Sequence, residues 1–440
     1  MKKIKGCDDD LEKFVIHGGK PLKGVVTISG AKNAAVAIVA ATLLCDEPVV
    51  LENCPQISDI TFCLKILSSM GAEVVSLNNN KVRIDPRGII NPKVPYDMAT
   101  KMRASSYFLG ALLGRFHEAH VALPGGCDLG DRPIDQHLKA FTSLGADNYV
   151  EAGEVHLSAD MLVGSLIYFD IISVGATINA MLASAKADGY TVIENAAKEP
   201  HVVDVANFLN SMGANIMGAG TDTIKIHGVK YLHGVEYSII PDQIEAGTYM
   251  VATAATRGDV LIKNVIPKHL ESITAALRRI GVGIEEFDEA VRIYDKGELN
   301  KINIKTMPHP GFPTDMQPQV STLLTLAHGA SVVTDDIFTN RFRYVNELRR
   351  MGADIVVNGK AVIINGVDRL KGAIVMAPDL RAGAALVIAG LAADGETTIG
   401  DIHYIERGYE GIEKKLRGLG ADIVKVEENK YSQSGSERNA

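Results

Sequence analysis

Ile66-Leu67-Ser68-Ser69-Met70-Gly71-Ala72-Glu73-Val74-Val75 reads as the last turns of a helix, a glycine that ends it, and the start of a strand. The phrase returns as Phe141-Thr142-Ser143-Leu144-Gly145-Ala146 and as Phe208-Leu209-Asn210-Ser211-Met212-Gly213-Ala214. With small variations six glycines carry it: Gly71, Gly145, Gly213, Gly281, Gly352 and Gly420, at spacings of 74, 68, 68, 71 and 68 residues. So regular a period means one structural unit used six times. A unit of about 70 residues is too small for a robust core of its own. Three units per domain and two domains is therefore the expected grouping.

Outward from each marker, the unit has the same anatomy. Short alternating strands such as Val25-Val26-Thr27-Ile28 or Thr223-Ile224-Lys225-Ile226 open it. A helix rich in Ala, Gly and Ser follows, predicted at 31–44, 98–115, 173–187, 243–255, 315–327 and 380–393. These stretches are apolar nearly all round, the mark of helices buried at a domain centre. A β-branched strand comes next (Val49-Val50-Leu51, Val192-Ile193-Glu194, Val332-Val333-Thr334), then a loop and an amphipathic helix such as Tyr344–Arg350. The marker glycine reads as its left-handed C-cap. The fold class is α/β: two inside-out domains, each of three β-α-β-α-β-β units around buried helices, with no Rossmann sheet. Segments 20–32 and 239–242 are the expected crossovers. They divide the chain into residues 1–32 with 242–440, and residues 33–241 carrying the Cys127 loop; 428–440 reads as a disordered polar tail.

Composition narrows the class. Apolar residues at 46% against 22% charged describe a soluble globular chain, and without tryptophan its core is aliphatic. No signal-peptide core opens the sequence, and the small-apolar run 34–44 is too short to span a bilayer. Five cysteines without a Cys-x-x-Cys pair leave at least one free thiol, which fits a reducing cytoplasm. A net charge of −8 argues against nucleic acid as partner. An anionic substrate would need a locally positive cleft on this acidic body. No P-loop, dinucleotide fingerprint or His-x-x-x-His pattern occurs, so neither a metal nor an organic cofactor is expected.

Four buried helices begin with charge. Lys32-Asn33 opens the first, Arg103 lies in the first turns of the second, Asp315 opens the fifth and Arg381 the sixth. Asp315 fits a cap as well as a site. A cation does not suit the positive end of a helix, whereas an anionic ligand there does. Leu123-Pro124-Gly125-Gly126-Cys127-Asp128-Leu129-Gly130-Asp131-Arg132-Pro133 is the most unusual segment. Its glycines and prolines describe a shaped, exposed loop. A thiol beside Arg132 and a helix start has its thiolate favoured; the bland alternative is a small loop residue. Equivalent loops carry Lys198-Glu199, Arg341 and Arg407, cations expected to converge at one end of the units. His137 and His309 read as structural, and Cys45, Cys54 and Cys63 as core.

Together the sixfold unit, the Pro-Gly-Gly-Cys loop and the cations on helix starts resemble the enolpyruvyl transferases. Matching segments are Ser29–Asn33, Met102–Ser105, Leu123–Pro133, Ser173–Thr177, Glu194–Pro200, Pro313–Gln317, Asp379–Arg381 and Glu406–Glu410, in order across almost the whole chain. Within that family the likeness is to the branch acting on UDP-N-acetylglucosamine. It implies transfer of enolpyruvate from phosphoenolpyruvate to the sugar 3′-hydroxyl with release of phosphate, at the first committed step of peptidoglycan synthesis. No cofactor, metal, membrane or obligate protein partner is implied.

Roles carry over by position. Cys127 resembles the general acid toward the phosphoenolpyruvate methylene, able to form a covalent adduct. Lys32, Asn33, Arg132, Arg381 and Arg407 resemble the phosphoenolpyruvate-binding set, and Asp315 the base on the sugar hydroxyl. Arg103, Arg132, Pro133, Ile134, Asp135, Gln136, Ser173, Val174, Gly175, Asp315, Ile337 and Arg341 resemble the sugar-nucleotide contacts. Two positions depart from the pattern: Ile171 and Gln243 stand where some family members carry lysine and arginine. The rivals are the shikimate branch of the same family, which does not use the Pro-Gly-Gly-Cys loop, and a catalytically silent sugar-nucleotide binder.

Overall fold

The computed structural model describes residues 12–78, 80–123, 134–338 and 340–427. Cys127, Arg132 and Pro133, with most of their loop, lie outside the described residues, as does the 428–440 tail.

The marker glycines do what their sequence context demands. All six have positive φ, from +90° to +116°, the left-handed conformation that releases a helix into a strand without a Cβ clash. Ahead of them the outer helices are amphipathic. In Glu271–Ile280, Ile273, Thr274, Leu277 and Ile280 face inward at helical spacing. Each fully buried Leu or Ile of this kind contributes about 1.5–3 kcal/mol.

Six helices form the interiors: α1 (Lys32–Ala41), α2 (Tyr107–Phe116), α3 (Val174–Ser184), α4 (Gln243–Ala255), α5 (Gln317–Leu324) and α6 (Leu380–Ala392). Helices α1 and α3 pack against α2, while α4, α5 and α6 pack against one another. Small residues allow the close approach. A Cβ on Gly110 would lie 2.6 Å from the Asn179 carbonyl, and the Gly110 N–H donates to Asn179 Oδ1 at 2.8 Å.

Around the helices stand six small sheets, five of four strands and one of three among the described residues. In chain order within a unit, the strands lie first–second–fourth–third. Leu166–Tyr168 runs parallel to Tyr190–Glu194, which pairs antiparallel with Thr223–His227, itself antiparallel to Asn215–Met217. Distant strands complete three sheets. Glu236–Ser238 joins Val49–Glu52, Lys23–Thr27 joins Asp259–Lys263, and Glu12–His17 lies between Glu396–Gly400 and Asp422–Glu427. The result is the two-domain inside-out α/β fold with two separate cores. One core is drawn from Ala31 to Ile239, the other from Phe14–Ile28 together with Ile244–Ile423. No helix among the described residues is long and apolar enough to cross a membrane.

One predicted helix is broken. The 98–115 stretch divides into Tyr96–Ala99, a 3-10 turn Arg103–Ser106, and α2. Met102 between them is extended, and Ser105 Oγ donates to the carbonyls of Ala99 and Met102 at 2.8 and 2.7 Å, in place of a continuous helical ladder. Likewise 315–327 begins as a 3-10 turn, Thr314–Met316, before α5.

Candidate active site

The two crossovers run side by side. Ala31 N–H donates to the Ile240 carbonyl at 2.7 Å and Asp242 N–H to the Ser29 carbonyl at 2.9 Å. Asp242 caps two helices at once. Its Oδ1 accepts the N–H groups of Ile244 and Glu245, and its Oδ2 accepts that of Lys32 at 3.0 Å. This fixes Lys32 at the start of α1, with a carboxylate offsetting the unfavourable cation there.

Lys32 Nζ lies 3.0 Å from Asp59 Oδ2, and Arg407 Nε donates to Asp59 Oδ1 at 2.9 Å. Burial alone would raise the Asp59 carboxyl, but Lys32 and Arg407 hold it below the usual carboxylate range. Asp59 belongs to the first core and Arg407 to the second, so this cluster spans the molecule. Beside it Asn80 Nδ2 donates to both carboxylate oxygens of Glu410 at 3.1 Å, again from one core to the other. Asn33 lines a small cavity with His201, Asp242, Gln243 and His269.

A second cluster surrounds Asp315. Arg341 Nη2 donates to its Oδ1 at 2.9 Å; Arg381 donates to its Oδ2 from Nη2 at 3.0 Å and from Nε at 3.2 Å. Both arginines are almost fully buried, at 1% and 3% exposure. Burial would push the Asp315 carboxyl up, yet Arg381 and Arg341 overcome it and hold the group well below the carboxylate range. The charge of Lys32 acts on Asp315 as well, so the two clusters adjoin. Asp315 lies in the first turn of the 3-10 segment Thr314–Met316, as a first-turn acid would, and its carboxylate is turned to the two arginines. Arg381 is steadied by the Asp379 cap, whose Oδ1 accepts its N–H at 2.9 Å, and by the Tyr409 ring 5.4 Å away. Asp335 Oδ2 accepts from Thr314 Oγ1 at 2.6 Å, and its Oδ1 accepts the N–H groups of Ile337 and Phe338. Ile337, 40% exposed, is thereby tied through Asp335 to Thr314, the neighbour of Asp315 in the chain.

On the first core, Ser173 caps α3 by accepting the Ala176 N–H at 3.3 Å, with Val174 and Gly175 in the first turn. A Cβ on Gly175 would lie 2.9 Å from the His137 ring, so only glycine fits this approach. His137 Nδ1 accepts from Asn179 Nδ2 at 2.9 Å, and burial, reinforced by Arg103, pushes it down to about 4. It is neutral and structural, packed against Gly175 and within the field of Arg103. Ile134 and Asp135 lead into the helix Asp135–Ser143. Gln136 is tied inward: its Oε1 accepts the Asp170 N–H at 3.0 Å and its Nε2 donates to Asp170 and Asp135. Ile171 is 60% exposed next to Ser173, and Gln243 opens α4.

Lys32, Arg341, Arg381 and Arg407 therefore gather around two carboxylates, as the helix starts and loops predict. Lys198 does not join them, because its Nζ lies 3.7 Å from Asp222 on a half-exposed loop. Cys45, Cys54 and Cys63 are buried, free and core-forming. Burial pushes the Cys54 thiol up to about 12, the opposite of an activated nucleophile. Sequence reasoning missed Asp59. Its only signal is an acidic residue after Ser58 in the first turn of an outer helix, where carboxylates are common for dipole reasons alone.

Residues 16–416 match the family EPSP synthase (3-phosphoshikimate 1-carboxyvinyltransferase). A relative from Caldanaerobacter subterraneus subsp. tengcongensis, UDP-N-acetylglucosamine 1-carboxyvinyltransferase 3, is 57% identical over 418 residues, covering 95% of this chain and 100% of the relative. The UDP-N-acetylglucosamine 1-carboxyvinyltransferase of Clostridium botulinum is 56% identical, covering 94% and 100%. Among solved structures, the enolpyruvyl transferase NikO from Streptomyces tendae superposes with a TM-score of 0.86 at 27% identity, over 95% of this chain and 100% of that one.

Proposed function

The chain belongs to the EPSP synthase (3-phosphoshikimate 1-carboxyvinyltransferase) family, and from that premise we propose that it transfers enolpyruvate from phosphoenolpyruvate to the 3′-hydroxyl of UDP-N-acetylglucosamine, releasing phosphate. The choice of acceptor follows the relatives more than 50% identical to it over nearly its full length. One observation of the structure carries the chemistry: four cations converge on two carboxylates, Asp59 buried and Asp315 partly exposed, whose clusters adjoin. An acidic protein that gathers cations so closely is built to receive anions.

Lys32 and Arg407 would grip the phosphate and carboxylate of phosphoenolpyruvate, joined by Arg132 from the Cys127 loop. The substrate's own charge would replace Asp59 as their partner. Cys127 would deliver a proton to the methylene carbon while the sugar oxygen bonds to the adjacent carbon and Asp315 takes the hydroxyl proton. The resulting tetrahedral species then loses phosphate, and a proton leaves the methyl group to regenerate the double bond.

A carboxylate held by two arginines is a poor base. Arg341 and Arg381 weaken Asp315 for as long as they hold it; a diphosphate that draws them away would restore its basicity. The acceptor would thus switch on its own base, and Asp315 would be matched to its task only in the loaded site. Two bodies, residues 33–241 and residues 1–32 with 242–440, would close over the substrates and exclude water from the reactive intermediate. The free buried thiols fit a cytoplasmic setting, where nucleotide sugar and phosphoenolpyruvate are both made.

The test is phosphate release on mixing the protein with both substrates. Release is expected only when both are present, and not when shikimate-3-phosphate replaces the sugar nucleotide. Binding of UDP-N-acetylglucosamine without release would mark a silent binder. Fosfomycin, an epoxide phosphonate that mimics phosphoenolpyruvate, is expected to alkylate Cys127; peptide mapping that finds the label on another thiol would remove Cys127 as the acid.

A further inference from the structure

Behind the crossovers lies an ion pair that touches none of the groups assigned to substrate. Glu245, on α4 just after the Asp242 cap, is 2% exposed. Its Oε1 accepts from Lys415 Nζ at 2.6 Å and its Oε2 accepts the backbone N–H of Ser29 at 2.8 Å. Lys415 also donates to Ser29 Oγ at 2.7 Å. Ser29 is three residues before Lys32. Lys415 sits in the helix Ile412–Gly418, on the segment that follows Arg407. Three stretches of chain thus meet at one carboxylate: the crossover, α4, and the arm carrying Arg407.

Stability alone accounts poorly for such a pair. Taking a carboxylate and an ammonium out of water is costly, and an apolar pair of similar volume holds a core as well or better. What the ion pair adds is directional geometry. It is one of two carboxylate bridges between the crossover and the arm that carries Arg407. Asp59 bridges Lys32 and Arg407 directly, but a bound anion competes for both. The Glu245–Lys415 link faces no ligand and persists. Contact between the segments is already tight: a Cβ on Gly408 would lie 3.0 Å from Lys32 Cδ.

We infer that Glu245 and Lys415 are positioning residues for the phosphoenolpyruvate site, fixing the Ser29–Lys32 crossover against the Arg407 arm so that Lys32 and Arg407 are presented at one spacing. This rests on the reading of Lys32 and Arg407 as the phosphoenolpyruvate clamp. The charged groups facing Glu245 are Lys415 and Asp242, with the Tyr249 phenol nearby on α4. Burial pushes Glu245 up to about 7, against the pull of Lys415. As the pH falls through that value the carboxylate takes a proton, the ion pair is lost, and the crossover is held by neutral hydrogen bonds only.

The experiment compares wild type with Glu245→Gln, Lys415→Met, Lys415→Arg and the neutral double variant Glu245→Gln/Lys415→Met. For each, KM for both substrates, kcat and melting temperature are measured, with KM for phosphoenolpyruvate followed as the pH falls through about 7. Glu245→Gln and Lys415→Met are expected to raise KM for phosphoenolpyruvate about tenfold, a loss of about 1.4 kcal/mol. KM for the sugar nucleotide should change far less, and Lys415→Arg should recover part of the loss. Wild type should show an additional rise in that KM on acidification that Glu245→Gln lacks. If a single variant does not fold, the double variant, which leaves no unpaired buried charge, gives the same readings. Unchanged KM values, equal rises for both substrates, or a pH response retained in Glu245→Gln would overturn the inference. Lys32→Ala serves as the reference. If it leaves phosphoenolpyruvate binding untouched, the clamp reading falls; if it weakens binding while Glu245→Gln does not, only the positioning role falls.

Discussion

Asp315 and Asp59 are built alike and do opposite things. Each is a carboxylate, Asp59 buried and Asp315 partly exposed, held by two cations and kept ionised by them. Asp315, Arg341 and Arg381 all come from the second core, so their cluster survives any motion of one domain against the other. Asp59 comes from the first core, Arg407 from the second and Lys32 from the crossover between them. That cluster exists only while the two bodies meet. The same chemistry is a preorganised part of one domain in the first case and a latch between domains in the second. What decides is the origin of the partners, not the residue types.

The sharpest way to break the comparison is Asp315→Asn. The amide keeps the shape and still accepts from one arginine, but cannot take a proton. Turnover is expected to fall by about 10²- to 10⁴-fold, the usual range for a general base, while sugar-nucleotide binding stays close to wild type. Single-turnover kinetics would check it, and full turnover in the variant would remove Asp315 as the base. Next in size are Lys32→Ala and Arg407→Ala. Each removes a charge-assisted contact worth about 1.5–3 kcal/mol, so phosphoenolpyruvate should bind some ten- to hundredfold more weakly. The sugar nucleotide should be affected much less. Titration of each substrate separately distinguishes this from a general loss of structure.

Acid unfolding sharpens the same contrast at smaller scale. Carboxylates of an unfolded chain titrate near about 3.9, and both aspartates titrate lower in the fold. A depressed carboxylate contributes stability that is fully present above the unfolded value and lost as the pH falls through the folded one. Asp315→Asn and Asp59→Asn should therefore be less stable than wild type near neutrality, with the gap closing on acidification as the wild-type carboxylates take protons. The gap should be larger for Asp315, whose arginines are the more deeply buried. Denaturant melts across the acid range measure it; a gap independent of pH would mean that the amides fail for steric reasons.

Much of this was legible in the chain. The glycine period located every unit, and helices 243–255 and 344–350 have the predicted bounds: the first opens at the Asp242 cap, and the second closes at Gly352. Lys32, Arg341, Arg381 and Arg407 stood out because a cation at a buried helix start, or in an equivalent loop, violates local preference and needs a distant partner. The partners themselves were less visible. Asp59 obeys local preference, so nothing in its neighbourhood marks it; its role comes from a contact 348 positions away along the chain. Glu245 likewise reads as an ordinary first-turn acid. The break at Met102 was hidden because Ser105 replaces backbone hydrogen bonds with its own side chain, a tertiary choice among residues that would equally suit a helix.

The smallest expected effect tests the latch directly. Asp59→Asn removes the charge that Lys32 and Arg407 share, leaving two neighbouring cations that repel each other across the boundary between the cores. Other bridges between the cores are weaker, such as Asn80 to Glu410 and the His309 N–H to Glu199 Oε1 at 3.3 Å. Without substrate, the variant should populate an open arrangement more than wild type does, seen as a rise of a few per cent in radius of gyration by small-angle scattering. Phosphoenolpyruvate with UDP-N-acetylglucosamine supplies the missing negative charge and should return it to the wild-type radius. Asp315→Asn should show no such expansion, since its cluster lies within one body. High salt separates the causes: repulsion between the exposed edges of the two cations is screened over about 10 Å at 0.1 M, so added salt should shrink the Asp59→Asn protein toward wild type. An unchanged radius in Asp59→Asn, or an equal expansion in Asp315→Asn, would show that the two carboxylates do the same job after all.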